Sequence, residues 1–201
     1  MHAIVTTPGF VIDSRSYGEA DKLYSIFTRD LGLIKAVAQG IRLEKSKLRY
    51  HVREHNLGMF SLVRGRDMWR LTNAQGYRSD IGSIEAHVGP GPVYGELLAR
   101  VSLILRRILH GEEPNPTLFE HIKNCVEFLT TTDLISEDHM QTLESLTVAR
   151  ILHALGYVSQ DEEIKGCISS LPFTRELLEQ TTPQRLVVNK HINKAIKESH
   201  L

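Results

Sequence analysis

The chain has few of the residues that mark several common classes of protein. Its only two cysteines, Cys125 and Cys167, lie in unrelated contexts. Two isolated thiols do not form the disulfide framework of a small secreted domain, so we expect a reduced, cytoplasmic protein. No apolar run reaches the about 20 residues that cross a bilayer, and no basic segment leads into an apolar stretch at the amino terminus. The sequence therefore predicts neither a membrane span nor a signal peptide.

The motifs of nucleotide-consuming and metal-dependent enzymes are also missing. No GxxxxGK[ST] loop is present, which argues against ATP hydrolysis of the P-loop type. His121 and Cys125 have the i, i+4 spacing of two ligands on one helix, but no cysteine pair completes a zinc site, and a small core thiol is the simpler interpretation. Glu19, Asp21 and Asp30 could imitate the metal cluster of a nuclease, although a charge pair at the start of a strand explains Asp21 more simply.

A net charge of zero conceals two halves of opposite charge. Residues 1–80 hold 13 lysines and arginines against 8 aspartates and glutamates, a balance of +5, and the remaining residues have a balance of −5. Residues 42–53 alone contain five basic side chains and one acidic side chain. A solvated loop would carry the same charges. Because the basic side chains of residues 42–53 lie beside predicted strands, they favour a segment that follows the phosphates of a nucleic acid.

The first half of the chain reads as short strands separated by turn residues. Predicted strands cover residues 3–12, 23–27, 33–38, 59–63 and 68–74. Pro8-Gly9 predicts a bend or bulge, and Arg64-Gly65-Arg66-Asp67 predicts the turn of a hairpin. A closed or nearly closed barrel is expected because closure removes sheet edges, and the five-stranded barrel that binds oligonucleotides is the OB-fold.

The second half changes to a helical period after a Gly-Pro-Gly-Pro break at residues 89–92. Predicted helices cover residues 94–109, closed by Gly111, and then two segments capped by Asn115 and Ser136. Two shorter helices are expected at residues 175–180 and 190–199, the last one capped by Asn189. We therefore predict an α+β, multi-domain protein. Its OB-fold DNA-binding domain occupies residues 1–80, and an α-helical bundle that binds partners occupies residues 81–201.

Residues 11–48 also carry a series of spaced motifs. In chain order these are Arg15, Tyr17-Gly18-Glu19, Asp21-Lys22, Phe27-Thr28, Gly32-Leu33-Ile34, Ala36-Val37-Ala38, Gly40, Arg42 and Ser46-Lys47-Leu48. Their combination resembles the amino-terminal domain of the RecO recombination mediator family. The hairpin around residues 71–74 and the end of the chain at residues 192–201 are similar as well, whereas the middle matches only in helical pattern.

The resemblance implies a repair protein of the RecFOR route rather than an enzyme. RecO-like proteins bind single- and double-stranded DNA, anneal complementary strands and partner with RecR. They also contact the acidic tail of the single-stranded-DNA-binding protein, which helps RecA to load. Many members carry a four-cysteine zinc module, but only Cys167 stands near the expected region here, so we expect no metal and no cofactor. The expected location is the cytoplasm, with the nucleoid.

Strand annealing requires that the repulsion between two polyanions be screened while their bases stay free to pair. Phosphate contacts position a strand without reading its sequence. We expect the main phosphate contacts from Arg42, Lys45, Lys47 and Arg49, with support from Arg15, Lys22, Lys35 and Arg66. Tyr50 or Tyr24 could stack a base, although barrel packing explains either ring.

The acidic second half is expected to serve partners. An acidic peptide tail needs an apolar groove with cations at its rim, which could come from Arg100, Arg106, Arg107 or Arg150. A solvated helix face explains the same arginines. The alternative function is an OB-fold adaptor that contacts proteins and does not anneal DNA.

Overall fold

Five strands close into a barrel in the first part of the chain. The computed structural model describes residues 3–76, 92–132, 135–159, 162–169 and 172–199. The strands are β1 (Ile4–Tyr17), β2 (Asp21–Thr28), β3 (Gly32–Ala38), β4 (Leu57–Arg64) and β5 (Trp69–Gly76). Their hydrogen-bonded order is β1-β2-β3-β5-β4, and every pair is antiparallel except β3 with β5. The predicted five-stranded OB-fold barrel, followed by a helical region, is confirmed.

β1 is the longest strand because it pairs with two neighbours in succession. Its first half pairs with β4 and its second half with β2. The bulge that we predicted at Pro8-Gly9 lies instead between Val11 and Asp13, where the pairing with β2 shifts. Gly9 stays in register, and a Cβ there would lie 2.8 Å from the Cγ2 atom of Ile26, so glycine is required by the close approach of β1 to the core.

The bulge changes which side of the sheet the following side chains occupy. Side chains of a regular strand alternate between faces, so Val11 and Asp13 would share one face. With Ile12 as the extra residue, Val11 is opposite Ile26 in the core, whereas Asp13 is opposite Ser25 on the outside. From that point the even-numbered side chains of β1 face the interior of the barrel or its open end.

Six helices are described after the barrel. They are α1 (Pro92–Ile108), α2 (Pro116–Thr131), α3 (Glu137–Ala154), α4 (Lys165–Ser169), α5 (Arg175–Thr181) and α6 (Arg185–Ser199). Two compact units are distinguished, Met1–Phe119 and Glu120–Leu201. The boundary that we place at residue 80, and most of the Gly-Pro-Gly-Pro break, lie outside the described residues, so the boundary stays a prediction. No described helix combines the length and apolarity needed to cross a membrane.

Two of the predicted helix starts follow local chemistry. The Asn115 side chain accepts a hydrogen bond from the Leu118 N–H at 2.9 Å, and that of Ser136 accepts one from the His139 N–H at 3.3 Å. The start that we predicted at residue 190 is wrong, because α6 begins at Arg185.

The early start of α6 has a local cause. A 3₁₀ turn, Thr182–Gln184, with Pro183 in its first positions, leads directly into the helix. Asn189 is therefore interior to α6 and is not its cap. The five-residue α4 has no counterpart among the predicted helices.

Candidate nucleic-acid interface

The connection between β3 and β4, residues 39–56, is fixed to the barrel at several points; we call it the β3–β4 arm. Its Gly40 N–H donates to the Asp21 carboxylate at 2.7 Å, and its Arg42 N–H donates to the Ala20 carbonyl at 3.0 Å. Ile41 and Val52 are buried in the barrel core. Burial of two such side chains contributes roughly 3–6 kcal/mol, which orders an otherwise polar segment.

The basic side chains of the arm are left exposed by this anchoring. Arg42, Lys45, Lys47 and Arg49 are all exposed, as the sequence predicts for phosphate contacts. The ammonium groups of Lys45 and Lys47 make no hydrogen bond or ion pair within the described part of the chain. Arg49 lies over the Tyr50 ring, 4.7 Å from its centroid, and also donates to the Tyr50 hydroxyl. The arm therefore presents cations beside an aromatic ring that is 45% exposed.

A concavity of about 280 Å³ lies at the end of the barrel beneath the arm; we call it the mouth concavity. Its lining residues are Ser14, Lys22, Tyr24, Ile41, Arg42, Arg49, Val52, Arg53 and Glu54. Four of these side chains are cations and one is an anion, so the concavity attracts phosphate. Sequence reasoning did not single out Arg53, although it lies in the basic run of residues 42–53.

The two tyrosines that we considered for base stacking differ in position. Tyr24 is only 2% exposed and belongs to the barrel core, with its hydroxyl 3.5 Å from the Val52 carbonyl. Burial, and next the nearby Glu54 carboxylate, raises the pKa of Tyr24 to about 12. Tyr24 is therefore a packing residue, and Tyr50 is the ring accessible to a base.

A second concavity, of about 440 Å³, lies on the outer face of β1, β2 and β3; we call it the outer concavity. Its lining residues are Asp13, Arg15, Leu23, Ser25, Leu33, Lys35, Arg106, Leu109, His110 and Gly111. Strand register places Asp13, Ser25 and Lys35 in one row across the sheet, and Arg15 in the next row. Arg106 of α1 forms an ion pair with Asp13 at 3.6 Å. Three cations and one carboxylate therefore line this face.

Arg66 and Arg70 lie on the β4–β5 hairpin. Arg66 is exposed in its turn, bonds to no group in the described chain and lines neither concavity. Arg70, which we did not single out, is also exposed. It pairs with Val37, so it continues the row of Arg15 around the barrel, and it donates to the Gln39 side chain at 2.6 Å.

Arg64, at the end of β4, is also a cation, but its side chain is bound to other side chains of the barrel unit. Its Nη1 lies 2.5 and 2.6 Å from the two carboxylate oxygens of Glu112, and its guanidinium lies 5.0 Å from the centre of the Trp69 ring. The Trp69 indole N–H also donates to Glu112, at 3.1 Å. Glu112 therefore binds both Arg64 and Trp69, which form the base of the β4–β5 hairpin, within the barrel unit.

The four arginines predicted to meet a partner lie in different surroundings. Arg100 and Arg107 are exposed on α1, where Arg100 pairs with Glu96 at 3.7 Å, and Arg106 belongs to the outer concavity. Arg150 is fully buried, so our prediction that it stands at the rim of a surface groove is wrong. Its Nε and Nη2 donate to the Cys167 carbonyl, and the Phe173 ring lies 4.0 Å from its guanidinium.

The residues considered for metal binding are separated or buried. Asp21 and Asp30 flank opposite ends of the eight-residue strand β2, so roughly 25 Å of extended chain separates them. Each accepts a hydrogen bond, from Gly40 and Thr7 respectively. This separation contradicts a nuclease cluster of the two. Nowhere in the described ranges do three histidine, cysteine or carboxylate side chains converge as a metal site would require.

His121 and Cys125 are both buried in the helical unit. Burial, and next the nearby Arg150 guanidinium, lowers the pKa of His121 to about 4, so the ring is neutral at physiological pH. Burial also raises the pKa of the Cys125 thiol to about 11, and the Thr147 hydroxyl lies 3.4 Å from its sulfur. Both side chains are therefore uncharged core groups.

The comparisons with known proteins agree with this barrel. The family model "Recombination protein O N terminal" matches residues 1–79. DNA repair protein RecO of Clostridium perfringens is 30% identical over 169 residues, which cover 83% of this chain and 63% of the relative. The RecO protein of Haemophilus influenzae is 26% identical over 149 residues, covering 74% of this chain and 58% of the relative.

A third relative matches a shorter stretch at higher identity. DNA repair protein RecO of Rubrobacter xylanophilus is 36% identical over 77 residues, which cover 38% of this chain and 31% of the relative. The chain thus spans less than two thirds of the length of these curated relatives. Residues 1–79 of the chain therefore match the amino-terminal domain of the RecO family, and the described residues among them, 3–76, form a closed five-stranded barrel.

Proposed function

We propose that this protein acts in DNA repair and recombination by binding DNA strands on its barrel and annealing complementary strands. The observation that carries the proposal is the concentration of exposed cations on the β3–β4 arm of a RecO-type barrel. The relatives that it matches are named DNA repair proteins. Phosphate contacts hold a strand without regard to its sequence, so any pair of complementary strands is a substrate.

The arrangement of the arm suits annealing in a physical sense. Its cations screen the repulsion between two phosphate backbones, and the Tyr50 ring offers a face on which a base can stack. Neither contact occupies the edges through which bases pair. No nucleotide hydrolysis is needed because duplex formation is itself favourable.

The partners follow from the family. We propose that RecR binds this protein, that the acidic tail of the single-stranded-DNA-binding protein docks on it, and that the complex promotes RecA loading. These assignments are supported by the resemblance alone. Of the arginines considered for the acidic tail, Arg100 and Arg107 are exposed and lie outside the outer concavity.

The experiment is annealing of two complementary fluorescent oligonucleotides without nucleotide. We compare the unmodified protein with the Arg42→Ala/Lys45→Ala/Lys47→Ala/Arg49→Ala variant. The expected result is fast annealing that this variant loses by at least tenfold. A charge-matched control removes four exposed cations from the helical unit, Arg175, Lys190, Lys194 and Lys197.

The control should anneal as the unmodified protein does, because its substitutions leave the arm intact even though its net charge equals that of the arm variant. Equal loss in both variants would mean that overall charge, rather than the arm, carries the activity. An unmodified protein that neither anneals nor binds labelled DNA at low salt would instead support the adaptor function.

A further inference from the structure

We propose that the barrel binds two single strands at once, one in the mouth concavity and one in the outer concavity. This inference rests on the proposed function and deepens it, because it assigns a separate place to each strand that is to be annealed. The two concavities share no lining residue. Each has an excess of positive charge, with four cations against one anion in the mouth and three against one outside.

The separation follows from the alternation of side chains along β1 and β2. Ser14, Lys22 and Tyr24 line the mouth concavity, whereas residues directly before or after Ser14 and Tyr24 line the outer one. The outer set from these strands is Asp13, Arg15, Leu23 and Ser25. Adjacent residues of a strand point to opposite faces of its sheet. The β1–β2 ribbon is therefore a wall with one concavity on each side.

The bulge at Ile12 places Arg15, the cation of β1, on the outer face. Because it shifts the alternation, Arg15 is opposite Leu23 on the outer face and Ser14 is opposite Tyr24 at the mouth. Lys35 adds to the outer face from β3, where it is opposite Ser25. The mouth receives its cations from Lys22 and from the arm.

One path by which a single strand would reach both concavities crosses the end of the ribbon. That end is the turn between β1 and β2, residues 18–20, where Glu19 is exposed. A carboxylate at this crossing repels phosphates, which favours two separate strands over one continuous strand. The two DNA strands would then lie on opposite faces of one sheet. Release of either DNA strand over a short distance would bring the bases of the two together.

The test uses strands that cannot pair with each other. Two dT12 oligonucleotides, one with a donor and one with an acceptor fluorophore, are titrated with the protein at low salt. We expect energy transfer at limiting protein and a complex of one chain with two oligonucleotides, with the mass measured by analytical ultracentrifugation. A complex of one chain with one oligonucleotide, in a protein that anneals, would overturn the inference and leave the proposed function intact.

Two double variants separate the concavities. Arg15→Ala/Lys35→Ala removes exposed cations of the outer face, and Arg42→Ala/Arg49→Ala removes exposed cations of the mouth. Each should bind one dT12 instead of two, lose the energy transfer and anneal at least fivefold more slowly. If either variant still binds two oligonucleotides, each with weakened affinity, the two concavities form one continuous surface and the inference fails.

Failure of the proposed function gives a different result. In that case no dT12 binds to the unmodified protein at low salt. Circular dichroism and the fluorescence of Trp69 test whether each variant is folded. We expect both variants to fold, because the four substituted side chains are exposed and their removal leaves the core intact.

Discussion

Arg150 donates two hydrogen bonds to the main-chain carbonyl of Cys167, from Nε at 3.1 Å and from Nη2 at 3.0 Å. The Phe173 ring covers the same guanidinium, so one buried cation joins α3 to α4 and to the segment before α5. Its Nη1 has no partner among the described residues. Burial lowers the pKa of Arg150 to about 10, and the side chain still carries its charge at neutral pH.

Removal of this side chain should destabilise the helical unit. Arg150→Ala leaves the carbonyl and the ring without their partner, and we expect the free energy of unfolding to fall by about 2–4 kcal/mol. Arg150→Lys should recover less than half, because an ammonium cannot reproduce the two-nitrogen fork. Urea titration followed by circular dichroism measures both. Arg175→Ala, at an exposed position, is the control, and equal effects at the two positions would refute the assignment.

Acid should weaken the fold through His121. Its pKa of about 4 in the folded protein lies below the usual 6.5, so the unfolded chain binds more protons between these values. The contribution of the neutral ring is fully present above pH 6.5 and is lost as the pH falls toward 4, by about 3 kcal/mol in total. His121→Gln should therefore flatten the stability curve between pH 6.5 and 4.

The matched control for His121 is His51→Gln, at an exposed position on the arm. Its stability curve should follow that of the unmodified protein. Because carboxylates also titrate at the acid end, the measured quantity is the difference between curves. A His121→Gln curve parallel to the unmodified one would contradict the buried neutral histidine.

Gly32 should tolerate no side chain, for two separable reasons. Its φ is 71°, and a Cβ there would lie 2.4 Å from the backbone oxygen of Glu113. Gly18 has a similar φ of 67° but nothing within 4 Å of its Cβ position. Gly18→Ala should therefore cost about 1–2 kcal/mol from backbone strain alone.

Gly32→Ala should cost at least 2 kcal/mol more than Gly18→Ala, since main-chain atoms must move. Unfolding is followed by the fluorescence of Trp69, the single tryptophan, which lies in the barrel core. Equal losses at both glycines would show that the contact with residue 113 contributes nothing.

Tyr50 should contribute base stacking to the binding of single strands. Tyr50→Ala is expected to weaken the affinity for oligo-dT by about 1–3 kcal/mol, and Tyr50→Phe should retain most of it because the ring is kept. Fluorescence anisotropy gives both values. Tyr157→Ala, at a ring of comparable exposure in the helical unit, should have no effect. Loss in the phenylalanine variant would indicate a role of the hydroxyl instead.

The dependence of binding on salt should count the phosphate contacts of the arm. If Arg42, Lys45, Lys47 and Arg49 each neutralise one phosphate, together they contribute about −3 to the slope of log K against log salt, at about 0.7 per contact. Replacement of all four by alanine should make the slope shallower by about this amount and leave only the contribution of other cations such as Lys22 and Arg53. An unchanged slope in this variant would place the contacts elsewhere on the protein.

Local patterns in the sequence were sufficient for much of the fold. Alternating residues predicted five strands, and side-chain oxygens at Asn115 and Ser136 predicted two helix starts, because both signals act over a few residues. The bulge at Ile12 has no such signal. It arises where β1 leaves β4 and continues along β2, which is a property of the closed barrel.

The residues of the candidate site were likewise only partly predictable from the sequence. Composition identified the cations of the arm, but it could not assign Arg15 and Lys35 to a different concavity from Lys22, because that depends on register. Arg150 shows the opposite case. A charged residue on a helix is usually solvated, and here it is buried because a carbonyl and an aromatic ring from later in the chain surround it.

Because of the bulge at Ile12, the faces that the β1 side chains occupy depend on the exact number of residues in the strand. Deletion of that one residue would exchange the faces of every later side chain in the strand, so that Arg15 would turn to the barrel interior. Substitutions at Ser14 or Arg15 alter one contact each. Among related sequences, therefore, single-residue gaps should be excluded between positions 11 and 17 even where the residues themselves vary.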